Sequence, residues 1–290
     1  MNFILSILFL FSQLVIASGE LDAKHFAVKE SAFEADYFPG DLNQSYGVIV
    51  LTGSSGGKLN ELASTLNGWG HPVLSLAYFD KEGDGRIPQS LELIPLEYID
   101  KAKDWLMARQ DTRNDGVVLV GLSKGAELAL VLAAHHSDYK GVVAVAPSSV
   151  VWSGIPLKPQ LITSAESSWA EFGKGLEYVP YVDREALKEA GQKDMLAWHE
   201  VSLAKAENAS ASLIRVEDIN SPLLLLSGGL DKVWPANAMA ASICARMKVV
   251  GRESLCTHIN FQQAGHMAGL EKEGSAVYEQ IAEFLGALNR

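Results

Sequence analysis

Basic residues are scarce in this sequence: 24 Lys and Arg stand against 35 Asp and Glu, for a formal net charge of −11 over 290 residues. They form no cluster, so a phosphate backbone has nothing to bind to and nucleic acid is excluded as a partner. After the first 19 residues no run is long and apolar enough to span a bilayer. There are no internal repeats and no low-complexity segments. No spacing of His, Cys, Asp or Glu suggests a metal site, and no cofactor is implied. The two cysteines, Cys244 and Cys256, are 12 residues apart. They are either a disulfide or two buried thiols, because the Cα separation that decides between these is not written in the sequence.

What is present is a chain that is 48% hydrophobic and 20% charged, long enough for one large core. Met1 to Gly19 carries no charged side chain, and its apolar stretch ends in the small residues Ala17, Ser18 and Gly19. This reads as a signal peptide over residues 1–19, with export to a periplasm or the cell exterior as its consequence. The rival reading is an uncleaved anchor, but Ser6, Ser12 and Gln13 dilute the stretch below a comfortable span. Residues 20–290 are then one domain with no stable membrane insertion.

Short apolar runs alternate with amphipathic ones along that domain. Strands are expected at Tyr46 to Thr52, Val73 to Tyr78, Val117 to Val120, Val142 to Ala146, Leu223 to Leu226 and His258 to Phe261. Helices are expected from about Leu59 to Gly68, Pro95 to Arg109, Gly125 to His135 and Ala236 to Met247, with a closing helix through Val277, Ile281 and Leu285. Such alternation implies a mostly parallel sheet with helices on both faces, because parallel neighbours need a crossover of helix length. Ligands then bind at the carboxyl ends of the strands. Between about 148 and 219 the alternation lapses, and Trp152, Trp169, Tyr178, Tyr181 and Trp198 sit among Pro, Ser and charged residues. That stretch is expected to be an insertion capping the site, its aromatics either lining a pocket or packing the insertion's own core.

Gly121-Leu122-Ser123-Lys124-Gly125 joins an expected strand to an expected helix, which is the setting that G-x-S-x-G requires for an exposed nucleophile. A serine hydroxyl needs a base. His266 lies in a glycine-flanked loop between the last strand and the last helix, whereas the other histidines lie on or beside elements or near the start of the chain. The acid that orients it has two conventional places. The first is empty, since no Asp or Glu lies between Lys140 and Ala165; the second supplies Asp231, with Asp218 as the backup. The order Ser123, Asp231, His266 is the chain order of the α/β-hydrolase fold. The oxyanion needs two donors: the backbone N–H of Lys124, and one from Ser54 or Ser55 in the loop Gly53 to Gly57. That loop lacks the full phosphate-binding pattern G-x-x-x-x-G-K-[ST].

The runs Gly121-Leu122-Ser123-Lys124-Gly125-Ala126-Glu127-Leu128-Ala129-Leu130, Leu76-Ala77-Tyr78-Phe79 and Pro95-Leu96-Glu97-Tyr98 resemble the C-terminal catalytic domain of acyl-CoA thioesterases and bile acid-CoA:amino acid N-acyltransferases. The resemblance implies a Ser, Asp, His triad acting on an acyl thioester, with Ser123, Asp231 and His266 on the matching motifs. In that family the transferases carry cysteine as nucleophile and the thioesterases serine, so Ser123 points to hydrolysis. The expected partner is a small acyl ester or thioester. The alternatives are a carboxylesterase or dienelactone-hydrolase-like enzyme on small esters and, from another class, a non-catalytic binding protein on a hydrolase fold.

Overall fold

The computed structural model describes residues 25–28, 32–41, 45–189, 191, 194–272 and 274–289. Residues 1–19, expected to be a signal peptide, lie outside them. Among the described residues the elements run β1 (Phe26–Val28), β2 (Glu34–Phe38), β3 (Ser45–Leu51), α1 (Asn60–Asn67), β4 (Val73–Ala77), β5 (Ile94–Pro95), α2 (Leu96–Met107), β6 (Thr112–Leu122), α3 (Lys124–His135) and β7 (Tyr139–Val145). They continue with β8 (Trp169–Glu171), β9 (Lys174–Gly175), α4 (Arg184–Glu189), α5 (Met195–Lys205), β10 (Leu223–Gly228), α6 (Ala236–Val249), β11 (Cys256–Phe261) and α7 (Ala276–Leu288). No helix among the described residues is long and apolar enough to cross a membrane.

Eight strands form one sheet in the order β1-β2-β4-β3-β6-β7-β10-β11. From β4 to β11 neighbouring strands are parallel; β1 and β2 pair antiparallel at one edge. These two edge strands are additions to the sequence reading. They carry too few alternating positions to stand out from the loop that separates them from β3.

Continuous runs such as Val48-Ile49-Val50-Leu51 and Leu223-Leu224-Leu225-Leu226 are buried along their whole length, because successive side chains point to opposite faces and both faces are covered. Ile49, Leu51, Leu119 and Leu225 face α2, α3 and α6; Val48, Val50, Val120 and Leu226 face α1 and α7. The amphipathic helices present one stripe to the sheet, Leu96, Ile99, Ala102 and Leu106 on α2 and Val277, Ile281 and Leu285 on α7. Each leucine or isoleucine so buried contributes roughly 1.5–3 kcal/mol. The helix α3 is different, being buried from Lys124 through Ala133, as expected of a helix that is apolar nearly all round and sits inside the protein.

The stretch after β7 leaves the sheet. It includes β8 and β9, which join β5 in a small separate sheet, followed by α4 and α5, and the chain returns at β10. Its aromatics divide three ways: Trp152 packs with Val150, Val179 and Tyr181 of the insertion itself, and Trp169 joins the main core instead. Trp152 and Trp169 are fully buried, while Tyr181 and Trp198 also line a cavity above the strand ends. Cys244 on α6 and Cys256 at the start of β11 are disulfide-bonded, with Cα atoms 5.4 Å apart.

Candidate active site

Three loops at the carboxyl ends of β6, β10 and β11 converge over the sheet, carrying Ser123, Asp231 and His266 respectively. The turn after β6 is the tightest. Ser123 has φ 54° and ψ −115°, a left-handed conformation that costs a non-glycine residue on the order of 1–3 kcal/mol. The backbone around it pins that conformation: the Ser123 N–H donates to the Val145 carbonyl at 2.8 Å, and its own carbonyl accepts from Ala126 and Glu127. Glycine is required on both sides. A Cβ at Gly121 would run into the Gly125 carbonyl, and one at Gly125 into the carbonyls of Leu51 and Thr52.

His266 Nε2 lies 2.9 Å from Ser123 Oγ, and His266 Nδ1 lies 2.8 Å from Asp231 Oδ2. The other carboxylate oxygen of Asp231 accepts the backbone N–H of Val233 at 2.7 Å and of Trp234 at 3.3 Å. Trp234 stands edge-on to the imidazole, with ring centroids 5.5 Å apart. All three side chains are largely buried. The arrangement fixes one tautomer. A carboxylate on Nδ1 holds the proton there, which leaves Nε2 free to accept from the serine hydroxyl.

Lys124, Ser54 and Ser55 line the same cavity as Ser123. The N–H of Lys124 opens α3, where a helix leaves its first amides without intrahelical acceptors. The loop after β3 closes down on Ser123, and a Cβ at Gly53 would lie 3.2 Å from both the Leu122 carbonyl and Ser123 Cβ. Lys81 Nζ donates to the Ser54 carbonyl at 2.6 Å, and burial lowers the pKa of its ammonium. Lys81 was not singled out from sequence, and an isolated Lys in a Gly- and Asp-rich loop offers no signal.

The cavity holds about 520 Å³, within the range of small-molecule sites. Ile155, Ile162, Tyr181, Met195, Trp198 and Trp234 give it apolar walls. His199, on α5, also lines it and is boxed in by the rings of Trp152, Tyr181, Trp198 and Trp234. Its Nδ1 meets the Met195 carbonyl at 2.8 Å, and burial pulls its pKa down to about 4. Three other histidines are engaged elsewhere: His258 Nε2 lies 2.8 Å from Ser227 Oγ, and His135 and His136 meet Glu171 and Asp100. Asp218 is paired with Arg215 at 2.7 Å in a 3₁₀ turn ahead of β10 and does not meet His266.

Residues 94–270 match the family model described as BAAT / acyl-CoA thioester hydrolase C terminal. The sequence is 31% identical to mouse acyl-coenzyme A thioesterase 5 over 228 residues, which is 78% of this chain and 50% of that protein. It is 30% identical to human mitochondrial acyl-coenzyme A thioesterase 2 over 219 residues, 74% of this chain and 41% of that protein. The chain thus spans about half the length of the curated relatives it matches. Among solved structures, an esterase from Pyrococcus furiosus superposes with a TM-score of 0.59 at 15% identity, over 95% of this chain and 96% of that one. That likeness shows the α/β-hydrolase fold.

Proposed function

The chain belongs to the BAAT / acyl-CoA thioester hydrolase C-terminal family, and from that premise we propose that it hydrolyses an acyl thioester or ester through an acyl-enzyme intermediate. The observation that carries the reading is the unbroken line of hydrogen bonds from Asp231 through His266 to Ser123. Ser123 Oγ attacks the acyl carbonyl carbon while His266 Nε2 takes its proton. The oxyanion so formed is held by the backbone N–H of Lys124 and one from Ser54 or Ser55, each such donor typically contributing about 3 kcal/mol to the transition state. The thiol or alcohol leaves with the proton from His266, and Ser123 keeps the acyl group. Water then attacks that ester with His266 as base, releasing the carboxylic acid and restoring the serine.

The apolar cavity walls favour a hydrocarbon acyl group. The leader-like residues 1–19 and the disulfide favour export, since disulfides persist in oxidising compartments; an N-terminus beginning near residues 18–20 on the protein recovered from a secretory host would support it. CoA esters are cytosolic, so export favours another leaving group. The test is a matched panel of p-nitrophenyl esters and acyl-CoA thioesters of increasing chain length, given to wild type and to Ser123→Ala. Wild type is expected to turn over part of the panel, and the variant to lose about four to six orders of magnitude in kcat. A wild type inert on the whole panel and unlabelled by a fluorophosphonate would replace catalysis with a binding role.

A further inference from the structure

Lys124 and Glu127 face each other one turn apart at the start of α3, directly after the nucleophile, and both are buried. Lys124 Nζ donates to the two carboxylate oxygens at 2.9 and 2.7 Å. Burial lowers the lysine's pKa and raises the carboxylate's, each opposed by the partner's charge. Taking two charges out of water is costly, and a buried pair is weak ground for stability. The chemistry proposed above uses neither side chain, only the Lys124 amide.

Glu127 has further donors. Its Oε1 accepts the backbone N–H of Trp152 at 3.0 Å and the indole N–H of Trp169 at 2.7 Å. Both tryptophans belong to the stretch between β7 and β10 and are fully buried. Trp169 also lies over Lys124 Nζ, 5.3 Å from ring centroid to nitrogen, and against the ring of Tyr78. Tyr78 in turn donates its hydroxyl to the Thr52 carbonyl, at the root of the Gly53 to Gly57 loop. One carboxylate therefore joins the turn that holds Ser123 to two points of the insertion whose residues wall the cavity. Trp152 continues into that wall, stacking on Tyr181.

We infer that Glu127, held by Lys124, is a positioning residue that registers the insertion's cavity wall against Ser123. The inference rests on the hydrolase reading above. A carboxylate suits the task because hydrogen bonds to an ionised acceptor are shorter and stronger than neutral ones, and full burial spares them competition from water. Slackening the tie shifts the wall relative to the nucleophile. A substrate whose acyl chain fills the cavity is then misplaced, while an acetyl group, which barely reaches the wall, is not.

The test compares wild type, Glu127→Gln and Trp169→Phe on p-nitrophenyl acetate and p-nitrophenyl octanoate, with fluorophosphonate labelling of Ser123 in each. Glu127→Gln leaves a buried ammonium without its counter-charge and risks misfolding. Trp169→Phe keeps the ion pair and most of the ring and deletes only the indole donor, so it carries the test if the first variant does not fold. In Trp169→Phe, kcat/KM for octanoate is expected to fall about tenfold to a hundredfold, mainly through KM, while acetate turnover and labelling change less than about twofold. An equal fall on both esters, tracking the folded fraction in a thermal melt, would overturn the positioning role and leave the hydrolase reading standing. A wild type that neither labels nor turns over would overturn both.

Discussion

Asp231 grips His266 from below: one carboxylate oxygen sits 2.8 Å from Nδ1, and the other is anchored by the backbone N–H groups of Val233 and Trp234. The carboxylate is thus held by its own loop as well as by the imidazole, and in the proposed mechanism it orients the base. Asp231→Asn should leave the fold intact, since an amide oxygen can keep the backbone bonds. The amide N–H₂ facing Nδ1, however, would favour the opposite tautomer, with the proton on Nε2, where the serine needs an acceptor. A loss in kcat of about 10³ to 10⁴ is expected with little change in KM. Steady-state kinetics on any ester that the wild type accepts will measure it. A loss below about tenfold would mean that Asp231 does not serve this base.

Lys81 makes a narrower prediction. Its ammonium holds the Ser54 carbonyl at 2.6 Å, and the C=O and N–H of a trans peptide point in opposite directions. The Ser55 N–H is thereby turned away from Lys81. If that amide is the second oxyanion donor, Lys81→Met frees the peptide to rotate and kcat falls by about tenfold, less than the 10² to 10³ lost when a donor itself is removed. Lys81→Arg should restore part of the rate. If Lys81→Met leaves kcat unchanged, the Ser54 amide, which belongs to the preceding peptide, becomes the donor.

Burial of His199 makes stability depend on pH. Its folded pKa, about 4 against an ordinary 6.5, is set first by desolvation. The charges of Lys124 and His266 press it in the same direction, while the carbonyls of Met195 and Val233 oppose them. Between those two values the unfolded chain takes up a proton that the folded protein refuses, so stability falls as pH drops from about 6.5 towards 4. For this one group the loss from about pH 7 to about pH 5 amounts to roughly 2 kcal/mol. Burial also lowers His71 and His258, with the same sign. Urea unfolding at the two pH values should show the drop, and His199→Gln should remove most of it. An unchanged slope in His199→Gln would place the proton uptake elsewhere.

The parts of this site that could be read from sequence are those with a local pattern. Gly121 to Gly125 betrays its turn because both glycines are sterically required, and the buried strands show as unbroken apolar runs. Asp231 and His266 could be found by elimination, each directly following a strand. Lys81 and Glu127 could not, because their importance lies in partners at a distance: Lys81 meets Ser54 across 27 residues and Glu127 meets Trp169 across 42. The cavity is hidden for the same reason, since Tyr181 and Trp198 come together only when the insertion folds back over the strand ends. Pairing of Cys244 with Cys256 turned on whether α6 packs beside the first residue of β11, which no periodicity encodes.

That disulfide closes a short loop, 12 residues in sequence separation, and restrains the unfolded chain by about 3 kcal/mol on the loop-entropy model. Its position should separate stability from activity. Cys256 opens β11, whereas His266 lies beyond the other end of that strand, after Phe261; six residues at ~3.3 Å each put the bridge on the far edge of the sheet from the chemistry. The double variant Cys244→Ser, Cys256→Ser should therefore unfold at lower denaturant, with stability reduced by about 2–4 kcal/mol, while kcat/KM at a temperature where it remains folded changes less than about twofold. Wild type treated with reductant should move to the same midpoint. If kcat/KM fell in step with the bridge while the midpoint held, the connection from Val250 to Leu255 would be acting on the His266 loop through β11, and the bridge would control activity instead of stability.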